Sequence, residues 1–510
     1  MKIKRVILEN FRGYREKTAI DFNDLTVLVG RNDVGKSTVL DALNLFFNEG
    51  SGVKFDKGDL NLPSEAKECT VAVVFSELPK KVVLDDSSET VLSEEYLLNK
   101  DGELEVVKTF GGKTAKTCIR ALHPSCPECS DLLQKKQKEL QGIIDKLGIL
   151  CENMKLNPVM RKAIWAHFGD CLECKETDIP VDKEDAKAVW EKLQTFLPVY
   201  SLFKADRENT DGDDTVQDPM KSAAERFLKS AELQKQLGEI AVKVREQLQD
   251  VADRTMEVLK KIDPKVAEGL KPVIPSVDKL KWADVFKNVS VTGEDDIPLN
   301  KRGSGVKRLV LIAFFQAEAE RRQLDKNTGI VYAIEEPETS QHYANQQILA
   351  DALKKLSGSG NTQVILTTHG NVMVKALGEP KNVRLISDGE DGTRTVQPVT
   401  GGLLGYPSLS EINYTAFGAI TEEYHDELWG WLEERGLKNK YDGEQIKKGN
   451  AREYVKEERG KACKPKPASL SHYIRDQIHH PENKRNERFT YEELKQSVEE
   501  MREFIKAHRS

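Results

Sequence analysis

The chain of 510 residues is too long for a single hydrophobic core, so at least two structural units are expected. Its 77 basic and 84 acidic side chains give a net charge of −7, which excludes a uniformly basic nucleic-acid coat but not a local basic patch. The sequence has neither an apolar run that could span a membrane nor the apolar stretch of a secretory signal, and its eight cysteines are too few for a disulfide scaffold. We therefore expect a cytoplasmic protein with no membrane partner.

The first fifty residues contain the most specific motif of the chain. Residues 2–8 and 24–29 have the apolar pattern of strands, and the second runs directly into GRNDVGKST at residues 30–38. This segment fits G-x-x-x-x-G-K-[ST], and a helical pattern follows at once, as a phosphate-binding loop requires. Lys36 is expected to reach the β- and γ-phosphates of a nucleotide, and Ser37 is expected to hold Mg²⁺.

Residues 116–280 are predicted to form a mainly helical insertion, since helical apolar spacing covers residues 130–150 and 220–262. Two C-x-x-C motifs lie within it and together offer four thiolates to one structural Zn²⁺. Reduced, unpaired thiols are the alternative. The four candidate zinc ligands are Cys126, Cys129, Cys171 and Cys174.

Two strand ends after the insertion are candidates for the rest of a nucleotide site. Residues 329–338, GIVYAIEEPE, read as a buried strand that ends in paired acids. Glu335 is a candidate Mg²⁺ ligand and Glu336 a candidate general base, with a solvated acidic turn as the alternative. The next strand ends near His369, which is a candidate for contacting the γ-phosphate or orienting Glu336.

A second glycine-rich segment, RGSGVK at residues 302–307, precedes an amphipathic helix. Ser304 and Gly305 at this helix start are predicted to form another anion cradle. One nucleotide site does not need two cradles for the γ-phosphate. The pair therefore predicts a head-to-tail homodimer or higher homo-oligomer, in which Ser304 faces the nucleotide of the other chain.

This order of motifs resembles the ABC-class P-loop ATPases, and within them the RecF, SMC and OLD group rather than transporters. The opening LENFRGYREKTAIDFNDLTVLVGRNDVGKST at residues 8–38 is similar to the start of that group. The resemblance implies an α/β ATPase head with a mixed sheet that uses ATP and Mg²⁺. It implies metal, base and switch roles for Glu335, Glu336 and His369. The implied nucleotide-binding residues are Gly30, Asn32, Gly35, Lys36, Ser37, Thr38, Ser304 and Gly305.

The signature segment departs from the LSGGQ pattern of this class of ATPase. With the serines matched, Val306 stands in place of the second glycine and Lys307 in place of the glutamine.

The C-terminal hundred residues read as helical, and basic side chains outnumber acidic ones from residue 438 onward, which keeps nucleic acid as a candidate partner. Arg475 and His480 have the R-x4-H spacing of HEPN domains. That resemblance implies either a metal-independent ribonuclease or a bundle used only for oligomerisation or docking. The predicted parts are a first head segment (1–115), the insertion (116–280), a second head segment (281–405) and a C-terminal HEPN-like or docking domain (406–510).

Three functions are compatible with these patterns. The segment FKADRENTD…VQDP, within the acid-rich residues 196–219, is similar to one in the ATPase subunits of bacterial antiphage systems of the Septu (PtuA-like) type. The first function is therefore a sensor or regulatory ATPase that controls a separate nuclease effector in antiphage defence. The alternatives are a self-contained, ATPase-regulated HEPN ribonuclease similar to anticodon nucleases and a RecF-like DNA repair ATPase.

Overall fold

The structure is a computed structural model, and its α/β architecture confirms the predicted fold class. By contact density the chain divides into two compact units. The first unit comprises Met1–Thr26 and Ser37–Thr368, and the second comprises Val27–Lys36 and His369–Ser510. The predicted signature residues Ser304 and Gly305 lie outside the described residues, as does the acidic segment beyond residue 203. The structure describes residues 1–49, 53–85, 88–112, 114–181, 186–203, 231–273, 290–293, 313, 329–339, 341–377, 379–389, 393–399, 402–405, 408–458 and 461–509.

The elements are numbered in chain order. The described strands are β1 (Lys2–Glu9), β2 (Thr18–Asp21), β3 (Leu25–Val29), β4 (Cys69–Ser76), β5 (Val82–Asp85), β6 (Ser88–Thr90), β7 (Leu104–Phe110), β8 (Lys116–His123), β9 (Lys175–Pro180), β10 (Val199–Phe203), β11 (Leu270–Val273), β12 (Ser290–Gly293), β13 (Ile330–Glu335), β14 (Thr362–Thr368), β15 (Val383–Asp388), β16 (Arg394–Pro398), β17 (Ala451–Tyr454), β18 (Glu457–Glu458), β19 (Lys461–Ala462) and β20 (Lys466–Ser469). The described α-helices are α1 (Lys36–Asn48), α2 (Gln137–Leu147), α3 (Asn157–Phe168), α4 (Ala186–Gln194), α5 (Ala231–Ile262), α6 (Pro264–Glu268), α7 (Tyr343–Ser357), α8 (Asn371–Leu377), α9 (Leu409–Phe417), α10 (Glu422–Glu434), α11 (Lys438–Lys447), α12 (Leu470–His479) and α13 (Tyr491–His508).

An antiparallel sheet in the first unit has the strand order β2-β1-β4-β7-β8-β9. Its central strand β4 is an almost continuous apolar run, which matches burial on both faces, whereas β8 alternates exposed and buried residues. β8 and β9 belong to this sheet although they lie inside the segment predicted as a helical insertion. The helices α2 and α3 occupy the connection between these two strands, so that segment combines sheet strands with the helices expected from its spacing.

A second group of strands in the first unit is parallel, in the order β10-β13-β14. β13 and β14 are buried along their whole apolar length, as expected for strands covered on both faces. Because the strands are parallel, their carboxyl ends meet at one edge. That edge carries the paired acids after β13 and the threonines at the end of β14.

The strand, loop and helix predicted for the first fifty residues are confirmed. β3 is fully buried, residues 30–35 form the loop, and α1 starts at Lys36. In the second unit the residues of β3 from Val27 onward pair in parallel with β15, and β15 pairs antiparallel with β16.

The C-terminal part of the second unit is a helical assembly with a small hairpin, β17–β20, inserted before α12. Four of its helix starts follow from the sequence, because a serine or threonine precedes each of these helices and its hydroxyl accepts an N–H of the first turn. The helix α11 differs, since Leu437 precedes it and provides no side-chain cap. The core between α10 and α13 is built from large apolar side chains, including Tyr424, Leu428, Trp429, Met501 and Ile505. The N-capping residues are Ser408, Thr421, Ser469 and Thr490.

A buried ion pair fixes α3 to the segment before β7. The guanidinium of Arg161 donates to both carboxylate oxygens of Glu95, at 2.8 and 3.1 Å, and both side chains are 2% exposed. Thr90 donates a further hydrogen bond to the same carboxylate, at 2.9 Å. A buried pair with this bidentate geometry holds one orientation of the helix, because losing either partner leaves a buried charge uncompensated.

The structure adds one observation on membranes. None of the helices among the described residues is both long enough and apolar enough to cross a bilayer.

Candidate functional site

The phosphate-binding loop folds around the side chain of Lys36. This residue is 5% exposed, and its ammonium group donates to the carbonyl oxygens of Gly30, at 3.0 Å, and Arg31, at 2.8 Å. The positive charge is thereby held on the inner side of the loop. The two carbonyl oxygens thus accept hydrogen bonds from N–H groups of the Lys36 ammonium that would donate to phosphate oxygens in a nucleotide-bound loop of this kind.

Two glycines give the loop its curvature. A Cβ at Gly30 would lie 2.4 Å from the carbonyl oxygen of Ile386 in β15 and 2.8 Å from a methyl group of Val34. Gly35 has φ +95°, in a region that favours glycine. Asp33 has φ +64°, and its carbonyl oxygen accepts a 2.8 Å hydrogen bond from Arg394 in β16. The motif glycines are therefore required by close backbone packing as well as by conformation.

The helix after the loop begins without a competing negative charge. The first turn of α1 contains Lys36, Ser37 and Thr38 and no acidic side chain. The N–H groups at a helix start attract anions, and a carboxylate in this turn would compensate that attraction. The start of α1 is therefore suited to bind a phosphate, and the Ser37 hydroxyl is a suitable ligand for Mg²⁺.

The paired acids lie where the chain leaves β13. The residues of β13 before Glu335 are buried, whereas Glu335 and Glu336 are both partly exposed. Glu336 has φ +40°, which is uncommon for a residue with a side chain, and its N–H donates to the carbonyl oxygen of Thr367 at 3.1 Å. The turn at Glu336 is thus held in a strained conformation by the neighbouring strand, as is common at functional sites.

A third acid of the same segment, Glu338, was not singled out from the sequence. It is 5% exposed, and the Thr368 hydroxyl donates to its carboxylate at 2.6 Å. This bond ties the turn after β13 to the last residue of β14, and the exposed His369 follows that residue in the chain. The feature of the sequence that could have identified Glu338 is the EEPE pattern, in which a proline separates the last acid from the pair.

Tyr200 in β10 was also not identified from the sequence. Its hydroxyl donates to the carbonyl oxygen of Leu40 in α1 at 2.7 Å, and its ring stacks on Phe47 with 5.5 Å between centroids. Burial raises the pKa of Tyr200 well above its ordinary value, and the carboxylates of Asp41 and Glu335 raise it further. β10 pairs in parallel with β13, so the strand that ends at Glu335 lies beside the strand that packs on α1, the helix that carries Ser37.

The four candidate zinc ligands differ in exposure. Cys129 is buried, Cys171 is exposed, and Cys126 and Cys174 are partly exposed. Burial raises the pKa of the Cys129 thiol to about 12, and the nearby Cys126 raises it as well. In the part of the chain that the structure describes, no three His, Cys, Asp or Glu side chains enclose a space for a metal ion.

The two candidate ribonuclease residues contact separate carboxylates. Arg475, in α12, donates to Asp476 at 3.0 Å. His480, just beyond the end of that helix, lies 3.3 Å from Glu482. Positions five residues apart on a helix differ by about 140° in direction, so the R-x4-H spacing does not by itself place both side chains on one face.

Residues 1–374 match the AAA ATPase domain family, so the chain belongs to this family. It is 27% identical over 267 residues to the DNA double-strand break repair Rad50 ATPase of Methanosarcina acetivorans. The matched region covers 48% of this chain and 24% of that protein. It is 40% identical over 52 residues to the chromosome partition protein Smc of Halobacteriovorax marinus, covering 10% of this chain and 4% of that protein. The chain thus spans a quarter or less of the length of these curated relatives.

Among solved structures, the chain is similar to an SMC head bound to the C-winged helix domain of ScpA, with a TM-score of 0.41, 15% identity, 78% coverage of this chain and 98% of that one. It is also similar to the SMC head domain from Thermotoga maritima, with a TM-score of 0.35, 15% identity and coverages of 78% and 99%. The family match confirms the predicted class, a P-loop ATPase, and the curated relatives support its place in the RecF and SMC group.

The close approach at Gly30 generates a first prediction. In Gly30→Ala the added methyl group overlaps the Ile386 carbonyl oxygen, so the loop must shift at a cost of about 1–3 kcal/mol. We expect MgATP to bind about tenfold or more weakly, measured by isothermal titration calorimetry. Gly142→Ala is the matched control, because a Cβ there meets nothing within 4 Å. Equal affinity of Gly30→Ala and the control would contradict this account of the loop.

Proposed function

We propose that the chain binds MgATP at the loop of residues 30–38 and hydrolyses it with Glu336 as the general base. The observation that carries the proposal is the loop itself. Gly30 is required by close backbone packing, Gly35 has a positive φ, and the buried Lys36 ammonium lies at a helix start free of acidic side chains. Lys36 contacts the β- and γ-phosphates, with the loop backbone at Gly30, Asn32 and Gly35 and the hydroxyl of Thr38 completing the cradle.

The Mg²⁺ ion in this proposal is held by the Ser37 hydroxyl and the Glu335 carboxylate. Mg²⁺ prefers hard oxygen ligands and is usually bound by one or two protein groups together with phosphate oxygens and water. The pairing of β13, which ends at Glu335, with β10, whose Tyr200 bonds to the backbone of α1, supports this assignment. Bound Mg²⁺ neutralises charge that develops on the phosphates as the terminal group is transferred.

The base role of Glu336 is supported by the way its backbone is fixed. Its N–H bonds to Thr367, and Glu338 bonds to Thr368, so both sides of the turn are attached to the end of β14. A partly exposed carboxylate in a fixed position can accept a proton from an attacking water. His369, which follows Thr368, is proposed as the switch residue that senses the γ-phosphate.

Replacing the proposed base generates a second prediction. Glu336→Gln keeps the shape of the side chain but cannot accept the proton, so we expect steady-state phosphate release to fall by roughly 100-fold or more while MgATP still binds. The exposed Glu434→Gln serves as a matched control, since Glu434 lies on the surface of α10. Turnover in Glu336→Gln equal to that of the control would overturn the assignment.

The nucleotide cycle is proposed to control assembly with other chains. Ser304 and Gly305 would complete the site of a second copy, so that ATP stabilises a homodimer or higher oligomer and hydrolysis releases it. The biological role we favour is regulation of a separate nuclease effector in bacterial antiphage defence, on the strength of the Septu-like segment that starts at Phe203. DNA repair is the second candidate, because a Rad50 ATPase is among the curated relatives.

Placing the nuclease on a separate chain generates a third prediction. Because Arg475 and His480 each contact a nearby carboxylate, we expect Arg475→Ala combined with His480→Ala to leave ATP turnover and phage protection in a plaque assay unchanged. Arg485→Ala is the matched control, as its guanidinium bonds to Glu457 on the same unit. Loss of protection and of RNA cleavage, with ATP turnover intact, would instead establish the self-contained ribonuclease.

A further inference from the structure

The two C-x-x-C motifs are distant in sequence but both lie next to the same end of the strand pair β8–β9. Forty-one residues separate Cys129 from Cys171. The antiparallel register of β8 and β9 pairs His123 with Lys175. The first motif therefore follows the last residue of β8, and the second motif ends immediately before the first residue of β9.

Hydrogen bonds outside the ladder join the two motif segments directly. The Ser125 N–H donates to the carbonyl oxygen of Leu172 at 3.1 Å, and the Ser125 hydroxyl donates to that of Glu173 at 2.6 Å. The residue before the first cysteine of one motif is thus bonded to both residues that lie between the cysteines of the other motif. This arrangement places the backbones of the two motif segments side by side.

The first motif forms a tight turn whose backbone accepts a hydrogen bond from Trp165. The Cys129 N–H donates to the carbonyl oxygen of Cys126 at 3.0 Å, and the indole N–H of Trp165 donates to the carbonyl oxygen of Cys129 at 3.0 Å. Trp165 lies in α3, the helix that the buried pair of Arg161 and Glu95 holds in place. The backbone of this motif is therefore fixed by its hydrogen bond to α3.

We propose that Cys126, Cys129, Cys171 and Cys174 form a structural Zn²⁺ site that joins the ends of β8 and β9. Two C-x-x-C turns that face each other supply the four thiolates of a closed tetrahedral site. Among the described residues no three His, Cys, Asp or Glu side chains are placed around a common point for a metal ion, and the Cys126 thiol donates to Glu128. Binding requires each thiol to release its proton to solvent and to turn toward the ion.

The proposed site has a defined structural consequence. It closes the loop that contains α2 and α3, of which α3 is also held by the Arg161–Glu95 and Lys162–Glu94 pairs. Zinc bound only in the folded state adds its binding free energy to stability. The inference does not depend on ATP hydrolysis, so each can fail without the other.

Metal analysis of the full chain tests the site. We expect one zinc ion per chain in protein purified under reducing conditions, and loss of that zinc in Cys126→Ser combined with Cys174→Ser. Cys151→Ser is the matched control, because this cysteine lies between the motifs in sequence and outside both. Less than about a tenth of an equivalent of zinc in the folded wild-type chain would overturn the proposal, as would full zinc content in the double variant.

A second measurement covers the case in which the double variant does not fold. Co²⁺ added to wild-type protein freed of zinc should give the absorption bands of tetrahedral thiolate coordination, and Zn²⁺ should abolish them. The thermal unfolding temperature should fall when a chelator removes the metal, and MgATP binding provides an independent control for the folded head. Octahedral Co²⁺ spectra would contradict the site.

Discussion

The structure around the nucleotide-binding loop depends on one steric constraint, the close approach of Gly30 to the backbone of β15. With 2.4 Å between a hypothetical Cβ and the Ile386 carbonyl oxygen, no other residue fits without displacing the loop. The same curvature places the carbonyl oxygens of Gly30 and Arg31 around the Lys36 ammonium. The positive charge, the helix start and the serine that follows are therefore positioned by one turn of backbone.

The turn formed by the EEPE segment is held by hydrogen bonds to the end of β14. Glu336 adopts a left-handed backbone conformation, which is strained for a residue with a side chain. The hydrogen bonds from Glu336 to Thr367 and from Thr368 to Glu338 maintain this conformation. Glu338 acts on the turn as a positioning residue, because it is buried and its carboxylate accepts a hydrogen bond from Thr368. The acids of the segment thus differ in exposure, since Glu335 and Glu336 are partly exposed and Glu338 is buried.

The loop and the paired acids were predictable because their requirements are local. Glycine at fixed positions, a lysine at the helix start and acids at a strand end follow from backbone geometry over a few residues. Tyr200 and Glu338 were missed because their roles arise from tertiary contacts with α1 and β14. β8 and β9 were hidden inside a segment predicted as helical for two reasons. β9 is exposed at all positions but one, so it has no apolar alternation, and its pairing with β8 across some fifty residues is not visible in the local sequence.

The central claim is that Lys36 and its loop bind the phosphates of ATP. The most direct test is calorimetric titration of MgATP into the full chain and into Lys36→Met, which keeps the aliphatic stem and removes the charge, with the exposed Lys464→Met as control. The account predicts one MgATP per chain for wild type and control, and binding at least about tenfold weaker for Lys36→Met. Equal affinity for all three proteins would contradict it.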